Sequence, residues 1–98
     1  MRLEPEEVEA IKAAATEAFG PNTVVRLFGS RLRDDLDGGD VDLHVEVDPV
    51  SDVADRRTRM QLKLWRQLRH DKVDLIISQR GATPRGFERV AYRDGAVL

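Results

Sequence analysis

Three aspartates stand out as the residues of this chain best placed to do chemistry. Asp40 and Asp42 are two apart in a segment that alternates cleanly, Val41, Leu43, Val45 and Val47 pointing one way and Asp40, Asp42, His44 and Glu46 the other. Two acids on one strand face repel each other, and each is costly to desolvate. A divalent cation is one reason to keep such a pair, because Mg²⁺ prefers carboxylate oxygens together with phosphates. Asp74 interrupts the apolar run Lys72–Ser78 (KVDLIIS). If that run lies beside the first strand, Asp74 joins Asp40 and Asp42 on the open face. Three carboxylates can support two Mg²⁺ ions about 3.5–4 Å apart, one activating a hydroxyl and one holding a triphosphate and its leaving pyrophosphate.

A second feature supports this reading. Thr23–Phe28 (TVVRLF) is β-branched and apolar, and Gly29-Ser30 follows at once. Glycine lets a backbone approach phosphate closely, and the serine hydroxyl and neighbouring N–H groups can donate to phosphate oxygens. Arg31 and Arg33 add positive charge nearby. A strand followed by Gly-Ser is a weak signal alone. Followed by Asp-x-Asp and a later strand aspartate, it is specific.

The elements that must position these groups alternate in type. Pro5–Phe19 carries Val8, Ile11, Ala15, Ala18 and Phe19 at helical spacing and stops at Gly20-Pro21. Arg31–Leu36 reads as a short helix or a loop, and Asp37-Gly38-Gly39 as a turn. Asp52–Arg69 is a helix with an apolar stripe of Val53, Met60, Leu64 and Leu68, widened by Ala54 and Trp65. Arg56, Arg59, Lys63 and Arg66 form a basic stripe beside it, a pattern usual for a solvated face; Leu62 projects within it. Arg57 falls inside the apolar arc, where its stem is expected to run past the stripe with the charge outward. Trp65 is expected in the core or at an interface rim. Pro84–Arg93 is a last helix, closed by Asp94-Gly95. The expected architecture is α/β of the α+β kind: one domain over residues 1–98, a small mixed sheet, and helices packed on one face.

Composition narrows the classes. The 98 residues hold 16 Lys+Arg and 18 Asp+Glu, a net charge of −2. That balance argues against nucleic acid as a direct ligand. Half of the acids lie between Asp34 and Asp55, while basic residues dominate from Arg56 to Lys72. There is no cysteine and there are two histidines, so disulfides are excluded and a zinc site is disfavoured. With no signal region or membrane span in view, a cytoplasmic location is expected.

The runs Leu27-Phe28-Gly29-Ser30-Arg31-Leu32-Arg33, Asp40-Val41-Asp42-Leu43 and Val73-Asp74-Leu75-Ile76 resemble the minimal nucleotidyltransferases of the DNA-polymerase-β-like nucleotidyltransferase superfamily. The closing Tyr92-Arg93-Asp94-Gly95-Ala96-Val97-Leu98 is also similar to family ends. The resemblance implies that Gly29 and Ser30 bind the nucleoside triphosphate. It implies that Asp40 and Asp42 bind both metals, and that Asp74 helps bind the catalytic metal and activate the acceptor hydroxyl. Arg33 matches an arginine that many members carry. Asp34 stands where the family often has glycine, and nine residues separate Ser30 from Asp40 where ten is common.

The expected activity is transfer of a nucleoside monophosphate, AMP from ATP, to a hydroxyl. Minimal nucleotidyltransferases often work with a helical HEPN partner, commonly an RNase toxin, as its antitoxin, and can AMPylate it on tyrosine. The resemblance implies that role here. The alternatives are a non-catalytic antitoxin that masks its partner by contact, and a small-molecule nucleotidyltransferase of the antibiotic-modifying type. A homodimer is permitted but not required. Of the remaining polar residues, His44 is expected to have no catalytic task rather than to touch nucleotide. Asp74 has an alternative as a structural ion pair with Arg57 or Arg26.

Overall fold

A computed structural model describes residues 3–29, 40–68 and 72–98. The element order is α1 (Pro5–Phe19), β1 (Val24–Phe28), β2 (Asp40–Val47), α2 (Val53–Gln67), β3 (Lys72–Gln79), α3 (Gly86–Asp94) and β4 (Ala96–Val97). The sheet order is β3-β2-β1-β4. β1 pairs antiparallel with β2 and β4, and β2 pairs parallel with β3. The sheet is therefore mixed, with α2 as the crossover between the parallel strands. The expected short helix over Arg31–Leu36 lies outside the described residues.

One face of the sheet carries the core. Val25, Leu27, Val41, Leu43, Val45, Val47, Val73 and Leu75 are buried there against Ile11, Ala14, Ala15, Ala18 and Phe19 of α1 and Met60, Leu64 and Leu68 at α2. The start of α1 is fixed locally: Pro5 opens it, and the Glu7 side chain accepts a hydrogen bond from the Glu4 N–H at 3.0 Å. Its C-terminal end is tied to α2. The Arg56 guanidinium donates to the Ala18 carbonyl at 2.9 Å, one of the carbonyls a helix end leaves without an intrahelical partner. Lys63 pairs with Glu17 across the same seam. Arg56 and Lys63 thus join two helices instead of forming a merely solvated stripe.

Arg57 and Gln61 explain the charge inside the apolar arc. Both side chains hang over the outer edge of β3. Arg57 donates to the Leu75 carbonyl at 3.1 and 3.3 Å, and Gln61 donates to the Val73 carbonyl at 2.7 Å. They are one helical turn apart and reach carbonyls two residues apart on the strand, so α2 blunts an edge that would otherwise offer unpaired acceptors. Trp65 is not core: it is 67% exposed.

α1 and α2 share the apolar face, as expected. α3 departs from that expectation and packs on the opposite, polar face. Its Tyr92 ring meets the His44 ring edge-on at 4.5 Å, and Arg26 stacks 4.8 Å from the Tyr92 centroid. The reason is His44 itself: it sits on the polar side of β2 yet is fully buried, so that side also needs a cover. The strand after α3 was not expected. A two-residue strand is too short to show alternation. β4 forms because Gly95 lets the chain turn back tightly, a Cβ there lying 2.5 Å from the Ala91 carbonyl and 3.0 Å from Arg26 Cβ. Leu98 N–H then donates to the Val25 carbonyl at 2.9 Å.

Candidate active site

The open end of the polar face is built by three adjacent strand ends. β1 finishes at Phe28, directly across from Asp42 of β2, and Asp42 in turn lies across from Asp74 of β3. Residues in register share a face, so Asp42 and Asp74 are lateral neighbours. Asp40, two residues earlier on β2, is on the same face and exposed, with Lys72 as its partner on β3. The topology thus brings all three predicted aspartates to one end of one face.

Gly29 closes the arrangement. It has φ +78°, a left-handed conformation that side chains rarely adopt. Any Cβ there would collide with Asp42 Oδ2 and lie 3.1 Å from its Cγ. The backbone after β1 therefore lies directly against the Asp42 carboxylate. Ser30, Arg31 and Arg33 lie outside the described residues.

The electrostatics follow from this crowding. Burial pushes the Asp42 carboxyl above its usual value, and the negative charges of Asp74 and Asp40 push it further; among the described residues, Lys72 pulls the other way. Lys72 Nζ stands 3.9 Å from Asp74 Oδ1, a loose pair between exposed side chains. Neither Arg57 nor Arg26 contacts Asp74. Arg57 holds the Leu75 carbonyl, and Arg26 holds Glu46 at 2.8 Å. The alternative of a structural ion pair with either arginine is not what the structure contains. Sequence reasoning overlooked Lys72, although its position two residues before Asp74 places it on the same strand face.

Among the described residues, no group of three or more acidic or histidine side chains is gathered into a ready-made metal cage. Asp74 has Lys72 beside it. The donor chemistry nevertheless fits a hard divalent cation. All three groups offer carboxylate oxygen, and the repulsion at Asp42 is the kind that a cation relieves.

Further along the same face the chemistry changes. His44 is hydrogen-bonded through Nε2 to Ser78 Oγ at 2.8 Å, while its buried Nδ1 has no hydrogen-bond partner. Burial, then the charge of Arg26, holds the imidazole below its usual pKa against the opposing pull of Glu46 and Glu88, which favours the neutral ring. Burial alone would raise the Glu46 carboxyl. Hydrogen bonds from Arg26 and Arg80 overturn that effect and hold it below the ordinary range. These contacts tie His44, Glu46, Arg26 and Arg80 into the packing of this face.

A mixed sheet with helices on both sides, and acids gathered where β1, β2 and β3 meet, defines the class of protein to which this chain should be compared. The sequence model of the nucleotidyltransferase domain matches residues 8–94, and the chain belongs to that family. No curated protein and no solved structure matches it. Among the described residues, no helix is long and apolar enough to cross a membrane.

Proposed function

We propose that this nucleotidyltransferase domain transfers AMP from ATP to a hydroxyl of a protein partner, a tyrosine of a HEPN-type toxin, and serves as the antitoxin of that pair. One observation carries the catalytic part: the Gly29 backbone is pressed against Asp42 while Asp42 lies beside Asp74. A triphosphate held at the Gly29 backbone would thereby be adjacent to Asp42.

In this reading Asp40 and Asp42 would hold Mg²⁺, and Asp74 would add a further carboxylate ligand. Bound Mg²⁺ supplies charge neutralisation for the triphosphate and makes an acceptor hydroxyl easier to ionise. Gly29 and Ser30 offer backbone and hydroxyl donors to the phosphates, with Arg31 and Arg33 as further positive charge. Asp74 takes the acceptor's proton. The acceptor oxygen bonds to the α-phosphorus, the bond from that phosphorus to the bridging oxygen breaks, and pyrophosphate leaves. Positioning and electrostatics supply the rate, since the chain contributes no covalent intermediate.

The partner is supported by the resemblance to minimal nucleotidyltransferases and by large apolar side chains open to solvent, Leu62 and Trp65 on α2 and Phe87 and Val90 on α3. The test is co-expression with the product of the neighbouring gene, followed by ATP and Mg²⁺. An AMP mass increment on a partner tyrosine is expected, and an Asp40→Ala/Asp42→Ala double variant should abolish it. Full neutralisation of the partner by that variant, with no increment in the wild type, would favour masking by contact instead.

A further inference from the structure

A broad groove of about 880 Å³ lies at the other end of β3 from the aspartates. Its apolar floor includes Val53, Ile77 and Pro84, and none of the three aspartates lines it. Arg57, Arg85 and Arg89 stand around it with Glu88 as the opposing charge. The walls are braced. Arg57 is anchored to the Leu75 carbonyl, Arg89 Nε donates to the Pro84 carbonyl at 3.2 Å, and the Gln79 side chain accepts from Val50 N–H at 3.0 Å. The loop between β3 and α3 is held from outside as well. Arg80 donates to Glu46 at 2.7 Å and to Asp48 at 2.8 Å. Such a groove is formed before anything enters it, which lowers the entropic cost of binding.

We propose that this groove holds an acidic stretch of the acceptor protein, a specificity determinant that rests on the transfer reaction argued above. Charge complementarity selects the occupant, with three guanidinium groups against one carboxylate. An acidic peptide is favoured over RNA because, among the described residues, no aromatic side chain lines the groove to stack a base. The strand sets the spacing. Asp74, Ile76 and Ser78 share one face of β3, and Ser78 reaches the groove. Four residues of strand span about 13 Å. An extended peptide seated among the arginines therefore presents a hydroxyl to Asp74 when about four residues separate that hydroxyl from its acidic group.

The probe is a fluorescein-labelled peptide with a tyrosine, a four-residue Gly/Ser spacer and three glutamates. Its counterpart has lysines in place of the glutamates. Anisotropy with the full chain, without ATP, should show the acidic peptide binding at least about tenfold more tightly than the basic one, and less tightly as salt rises. Arg85→Glu/Arg89→Glu should erase the preference, with circular dichroism confirming the fold. If that variant does not fold, Arg85→Gln and Arg89→Gln should each weaken binding about threefold. Equal affinity for both peptides, no effect of the arginine variants, or a stronger preference for single-stranded RNA of matched charge would overturn the assignment. A parallel calorimetric titration with ATP and Mg²⁺ separates the two readings. Nucleotide binding without peptide preference sinks the groove alone, whereas no nucleotide binding sinks the transfer reaction.

Discussion

The polar face of the sheet has two ends built on opposite principles. Around His44 the charges of Glu46, Arg26 and Arg80 answer one another. Glu46 is gripped by Arg26 and Arg80, Arg26 stacks on Tyr92, Tyr92 covers His44, and α3 seals the layer. Around Asp42 the neighbours are Asp40 and Asp74, and among the described residues only a loosely held lysine opposes them. Both ends come from the same alternation along β2. What separates them is which side chains the adjacent strands and helix supply. A compensated end contributes stability. An uncompensated end costs stability and is kept where a ligand of opposite charge completes it.

The largest effect should come from the uncompensated end. Asp40→Ala/Asp42→Ala should lower nucleotidyl transfer by at least about a hundredfold, the scale of losing a preorganised charge-stabilising group. Its far-ultraviolet circular dichroism should match the wild type, since neither side chain supports the core. Unfolding of the double variant would mean that the acids are structural and that the two ends do not differ as argued.

At the compensated end the readout is stability. Glu46→Ala takes from Arg26 its ion-pair partner and from Arg80 one of two, Asp48 remaining, and the carboxylate is only 17% exposed. The loss should be about 2 kcal/mol, from hydrogen bonds to a charged partner. For a domain of this size that lowers the thermal midpoint by about 8–16 °C. A change within about 2 °C would show that the network is ornamental.

Gly29→Ala tests the seam between the strand end and the carboxylates. The left-handed backbone and the collision with Asp42 both oppose the methyl group. A cost of about 1–2 kcal/mol follows from the backbone conformation alone. Transfer should fall by about tenfold or more through displacement of Asp42, a larger proportional loss than in a stability-matched core variant. Equal losses in the two variants would remove Gly29 from the site.

How much of this was readable in the sequence depended on periodicity. Asp40 and Asp42 declare themselves because alternation assigns them a face, and Asp74 because it breaks an apolar run. Those signals are local. The partner of each charge is not, because it depends on strand register and helix placement. The basic stripe gave no hint that Arg56 closes α1, and the apolar arc could not show that Arg57 serves the edge of β3. His44 lies on the polar side by sequence but is buried in the fold, since nothing in the alternation of β2 announces that α3 will cover it. β4 was invisible for a simpler reason, being two residues long.

The smallest predicted effect separates the two ends by the sign of their pH dependence. The Asp42 carboxyl is raised above the ordinary value of 3.8. The folded state therefore binds that proton more tightly than the unfolded chain, and the group's contribution becomes more favourable as pH falls through its folded value toward 3.8. Glu46 runs the other way. It is held below 4.5, so its stabilisation is present above that pH and is lost as pH falls through the lower folded value. His44 is held below 6.5, so acidification beneath that point favours the unfolded chain. Asp42→Asn removes only the first contribution. At about pH 7 the metal-free variant should melt above the wild type, an advantage that shrinks with acidification as the wild-type carboxyl takes up its proton. Mg²⁺ should raise the wild-type midpoint at about pH 7 and leave the variant nearly unchanged, because binding to the folded state alone stabilises it by mass action. If Asp42→Asn melts lower than the wild type without metal, the carboxylate is already compensated, and the contrast between the two ends collapses.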